Sequence, residues 1–77
     1  MKADEINILN EKAETRKDGV YSFKKYMYVV KNHKFIGYAD CFGYCYQREG
    51  SFNISIGKVD RYERKRQLTK WLHNQYR

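Results

Sequence analysis

The stretch Tyr26-Met27-Tyr28-Val29-Val30-Lys31-Asn32-His33-Lys34-Phe35-Ile36-Gly37-Tyr38-Ala39 (residues 26–39) decides the fold. Two runs rich in β-branched and aromatic residues flank a polar break at Asn32-His33-Lys34. Stiff, branched side chains lose freedom on a helix but pack well on a pleated surface, so each run reads as a strand. The break between them reads as a turn, with Phe35 to Ala39 returning beside Tyr26 to Lys31.

Working outward, Val20 to Phe23 has the same composition and reads as the first half of one bent strand, interrupted at Lys24-Lys25. On the other side, Cys41 to Gln47 alternates, with Phe42, Tyr44 and Tyr46 on one face and Cys41, Gly43 and Cys45 on the other. Arg48-Glu49-Gly50 closes a hairpin onto Ser51 to Ile56. There Phe52, Ile54 and Ile56 alternate with Asn53 and Ser55, the pattern of one buried and one wet face.

Helical patterns flank the sheet. Ile6, Leu9 and Ala13 form a narrow apolar stripe within Asp4 to Arg16, enough to clip onto a sheet rather than anchor a core. Lys17-Asp18-Gly19 is a helix stop. A second helix is expected from Arg61 to Tyr76, opened by a capping box of Asp60 and Glu63, with Tyr62, Leu68, Leu72 and Tyr76 as its apolar positions and Trp71 towards one side. The expected architecture is α+β: an N-terminal helix, a three- to four-stranded antiparallel sheet, and a C-terminal helix packed on it. The Phe52/Ile54/Ile56 face is expected to meet Leu68, Leu72 and Trp71.

A chain of 77 residues makes one domain with a thin core. Its four Phe, eight Tyr and single Trp offset that by burying much area per side chain. A hydrophobic fraction of 42% argues against disorder across the chain. The opening residues MKADEINILN hold no apolar run of the kind a signal peptide needs, and no stretch approaches the ~18 apolar residues of a membrane span. With Cys41 and Cys45 on one strand, roughly 13 Å apart, the thiols are expected to stay reduced, in the cytoplasm.

Charge points to partners. Residues 1–23 carry four bases and five acids, residues 24–57 five and two, and residues 58–77 seven and two, for a net of +7. A basic C-terminal third suits a polyanion. Lys58, Arg61, Arg64, Lys65, Arg66 and Lys70 are expected to hold phosphates along the second helix, with Arg61, Arg64 and Lys65 sharing one face. Lys24 and Lys25 assist, and Tyr38, Tyr44 and Tyr46 offer rings to bases or sugars. The expected function is a non-catalytic nucleic-acid-binding module, for DNA or RNA. The alternative is an interaction or inhibitor module that binds an acidic surface of a host protein, as small accessory proteins of phages and mobile elements do. An exposed edge strand leaves both monomer and homodimer open.

Catalysis and cofactors find little footing. Two cysteines and His33 and His73 could in principle offer zinc its ligands, but strand-like flanks hold the thiols apart, so no cofactor or metal is expected. Gly19-Val20-Tyr21 and Phe35-Ile36-Gly37 resemble the paired tripeptides of the GIY-YIG endonuclease family, which would imply a catalytic role for Tyr21. The resemblance covers those six residues, has Phe35 in place of the second tyrosine, and is followed by strand rather than by a helix carrying an arginine. It assigns no activity.

Overall fold

In the computed structural model, which describes residues 1–74, the chain runs α1 (Ala3–Glu14), β1 (Gly19–Phe23), β2 (Tyr26–Lys31), β3 (Lys34–Ala39), β4 (Tyr44–Glu49), β5 (Phe52–Lys58) and α2 (Arg64–Asn74). The five strands form one antiparallel meander in the order β1-β2-β3-β4-β5. The fold is α+β as expected, with five strands rather than three or four.

The extra strand comes from Lys24-Lys25. Lys24 adopts a left-handed φ of 53°, and Phe23 then pairs with Tyr26, so the expected bend is a two-residue hairpin turn. Two lysines carry none of the usual turn chemistry, and composition therefore hid the reversal. Asn32 and His33 show the expected pattern openly, with φ of 52° and 61°, as the twist of a tight hairpin requires.

The two helices cover opposite faces of the sheet. Beneath α1, Leu9 and Ala13 are fully buried against Tyr28, Val30, Phe35 and Tyr38. On the other face, Leu68 and Leu72 of α2 pack on Val29, Ala39 and Cys45, with Trp71 and Val20 at the margin. The stripe of α1 was expected only to clip onto the sheet. It instead seals one of two cores, because a sheet apolar on both faces needs a cover on each.

A bulge in β3 adds to the core under α1. Val29 pairs with Gly37 and Val30 with Phe35, which leaves Ile36 unpaired. Phe35 and Tyr38, three positions apart, thereby reach the same α1 face. Gly37 faces α2, where a Cβ would stand 3.0 Å from the Trp71 ring and 2.8 Å from the Tyr46 carbonyl oxygen. Glycine is needed there for the approach of the indole.

α2 lies mainly over β1, β2 and β3, and this corrects the packing expected for β5. Ile56 does line a notch with Leu68 and Trp71, but all seven residues of β5 are exposed, Phe52 at 71%. The Tyr76 position of the expected helix lies outside the described residues. No helix among the described residues is long and apolar enough to cross a membrane.

If α1 seals a core, Leu9→Ala destabilises the protein by about 2–5 kcal/mol in urea denaturation. Ile8→Ala, at a position 41% exposed, stays within about 0.5 kcal/mol of wild type.

Candidate nucleic-acid interface

Two short segments at one end of the sheet share a local design. In the β3–β4 loop the Asp40 carboxylate accepts from the N–H of Phe42 at 2.9 Å and of Tyr44 at 3.0 Å. In the β5–α2 linker the Asp60 carboxylate accepts from the N–H of Tyr62 at 2.8 Å. Each aspartate closes an Asx turn over the residue two positions on, and in each that residue is an exposed aromatic. Phe42 is 64% exposed and Tyr62 82%.

The segments lie against one another. The Val59 N–H donates to the Gly43 carbonyl at 2.9 Å. Gly43 holds a φ of 97°, and a Cβ there would overlap the Val59 carbonyl, so both the turn and the contact demand glycine.

Arg64 ties this end together. Its Nε donates to the Arg61 carbonyl at 2.9 Å, and one terminal nitrogen donates to the carbonyls of Lys25 at 2.7 Å and Asp40 at 2.8 Å. One guanidinium thus joins the β1–β2 turn, the β3–β4 loop and the start of α2. The planar fork supplies donors in several directions at once, which a lysine ammonium on its flexible stem does not reproduce.

These bonds revise the expected cationic ridge. Asp60 forms an Asx turn instead of capping the helix, and α2 begins at Arg64, with Gln67 donating its N–H to the Glu63 carbonyl. Glu63 turns forward to Arg66 at 2.6 Å rather than back. Arg61 therefore stands outside the helix, Arg64 faces backbone carbonyls and Arg66 is ion-paired. Lys65 and Lys70 remain as exposed helical cations.

The expected tyrosines separate as well. Tyr38 is 2% exposed and sits in the core, where no base can reach it. Tyr46 is half-buried and stacks on it, ring centres 4.9 Å apart. They belong to a run of rings that continues edge-on to Tyr26 and, through Phe35 and Tyr28, to Tyr21. Tyr44 is 44% exposed, with the Lys58 ammonium 4.9 Å from its ring centre.

The segments that meet at this end carry the exposed residues Lys25, Phe42, Tyr44, Lys58, Arg61 and Tyr62, with Lys65 in the first turn of α2. The Arg61 guanidinium stacks over Tyr62 at 4.9 Å and donates to its hydroxyl. Lys24 is the partial exception, since it reaches Glu5 at 3.5 Å. The N–H of Lys2 and the Lys24 ammonium together hold the Glu5 carboxyl below its ordinary value, though burial opposes them. Phe42 shares the parity of Tyr44 and Tyr46 but sits in the β3–β4 loop rather than on a strand, and Tyr62, expected as an apolar position of the second helix, lies in the linker before it. The available signal was an aspartate two residues before each ring.

Burial acts on several hydroxyls of the sheet. It raises Tyr26, Tyr28 and Tyr46 above the ordinary tyrosine value, and pushes Tyr38 up to about 12. Burial, then the nearby Asp40 charge, likewise raises the Cys45 thiol, which stays protonated and a poor nucleophile. No family model, curated protein or solved structure matches the chain.

Arg64→Ala is expected to cost about 2–3 kcal/mol in urea denaturation, with Arg64→Lys recovering less than half, because one ammonium cannot bridge three segments. Alkaline titration tests the buried rings. Tyr38 ionises near pH 10 in the unfolded chain and near 12 in the folded one, so its contribution to stability is complete below pH 10 and lost as pH rises towards 12. Stability should fall across that window, and Tyr38→Phe should make the fall shallower.

Proposed function

We propose that the chain is a non-catalytic module that binds single-stranded nucleic acid at this basic and aromatic end. The observation that carries the reading is the pair of Asx turns, which hold Phe42 and Tyr62 exposed at the end of the sheet whose segments also carry the exposed Lys25, Lys58, Arg61 and Lys65.

Exposed rings on fixed turns suit unpaired bases, whose faces are free to stack, better than a duplex whose bases are already stacked. Duplex grooves are read by a helix or a two-stranded ribbon presenting side chains along its length. Here α2 is spent on the sheet core, and its leading arginine on backbone carbonyls. The surrounding amines and Arg61 supply phosphate contacts, while the aromatic stacks tolerate any sequence. Asp40 and Asp60 oppose this charge in part, but their carboxylates face backbone amides within the turns.

Fluorescence anisotropy with short single-stranded DNA, RNA and duplex DNA, over about 50–200 mM salt, tests the proposal. About four exposed cations predict a slope of log K against log salt near −3, with single strands preferred. Phe42→Ala and Tyr62→Ala should each weaken binding by about 1–3 kcal/mol. Lys58→Glu and Lys65→Glu should weaken it for every sequence alike and flatten the slope. Absence of binding at the lowest salt would defeat the proposal and turn the search to an acidic protein surface as the partner.

A further inference from the structure

β5 is an edge strand of unusual character. It pairs with β4 alone, and every one of its residues is exposed. Residues 50–57 read GSFNISIG, eight positions without charge in a chain of net +7. Edge strands commonly carry lysine or proline that discourages pairing with another chain, and this one carries neither before Lys58. The opposite edge differs: β1 is half-buried along most of its length, lies under α2, and is flanked by Asp18 and Lys24.

Register places the apolar residues of β5 in one row. Phe52 lies across from Glu49 and Ile54 across from Gln47, and by alternation Ile56 shares their side, beside Trp71 and Leu68, although the register shift near Cys45 and Tyr46 leaves it without a β4 partner. Phe52 is 71% exposed, and Ile54 and Ile56 are 43% each. α2 meets this row at its Ile56 end, and Phe52 and Ile54 stay exposed.

We propose that β5 is a self-association edge, at which two copies pair antiparallel about Ile54 and continue the sheet across a two-fold axis. The row is self-complementary in that register. Ile54 meets its own counterpart, Phe52 meets Ile56, and Asn53 meets Ser55 on the other face, so no side chain changes sides. The direction follows from charge. Lys58 stands about four residues from the axis, so antiparallel pairing sets the two Lys58 amines roughly 26 Å apart. That exceeds the ~8 Å Debye length at physiological salt, and the basic ends of the two copies are screened from each other. Parallel pairing would bring them together. Three apolar side chains and one short edge form a small patch beside the ~1,200–2,000 Å² of a stable interface, so the association is expected to be weak and reversible.

Sedimentation equilibrium on the full chain, from about 5 to 500 µM with reductant to prevent Cys41 cross-links, reads this directly. Wild type should pass from monomer to dimer across the range. Ile54→Lys sets two like charges opposite each other and should weaken dimerisation at least about tenfold, with unchanged circular dichroism at low concentration. Phe52→Lys, at the more exposed position, provides the same test should Ile54→Lys perturb folding. A wild-type monomer at every concentration overturns the proposal, as does a wild-type dimer that both lysine variants leave intact. These outcomes are read without nucleic acid, so they are independent of the proposed binding function.

Discussion

Three donor bonds from the Arg64 guanidinium set the shape of one end of this molecule. They collect carbonyls from the β1–β2 turn, the β3–β4 loop and the residues that lead into α2. Backbone carbonyls at loop ends ordinarily fall to water, and a charged donor that reaches several of them replaces scattered solvation with a fixed geometry. The Gly43–Val59 contact depends on the same alignment, because the linker must lie flat on a glycine to meet the loop. What was expected to be a phosphate-binding arginine is thus a structural one, and its neighbours gain their positions from it.

The aromatic residues divide by the same logic. A small domain has few ways to bury enough apolar area, and rings that interlock across strands are one of them. Tyr21, Tyr26, Tyr28, Phe35, Tyr38 and Tyr46 form that lattice under α1, with burial raising most of their hydroxyls above the ordinary tyrosine range. Phe42, Tyr44 and Tyr62 stand outside it. They occupy the loop, the strand start and the linker, where no packing requirement accounts for a large ring. On this division rests the proposal that Phe42, Tyr44 and Tyr62 meet unpaired bases.

Much of the fold is legible in chain order, since the strand composition of β2 and β3 and the apolar stripes of both helices follow from local chemistry. The alternation of β5, by contrast, implied a buried face that the strand does not have. The Asn32-His33 turn carries its signature in residue type, whereas Lys24-Lys25 does not, and a strand boundary vanished with it. Two-sided burial of β2 is also visible, in the unbroken run Tyr28-Val29-Val30, which a sheet covered on one face would not need. The site was less legible. Helical spacing of Arg61, Arg64 and Lys65 implied a shared face, but Asp60 bonded the Tyr62 amide and moved the helix start to Arg64. Which arginine turns inward depends on carbonyls from segments far apart in sequence, and no local pattern encodes that.

The most direct test is an ¹⁵N-resolved NMR titration of the chain with a short single-stranded oligonucleotide at low salt. The account predicts the largest amide shifts at Lys25, at Phe42 to Tyr44 and at Lys58 to Lys65, with α1 and the middle of β5 unmoved. Shifts centred on α1 or on the middle of β5, or none at saturating oligonucleotide, would contradict it.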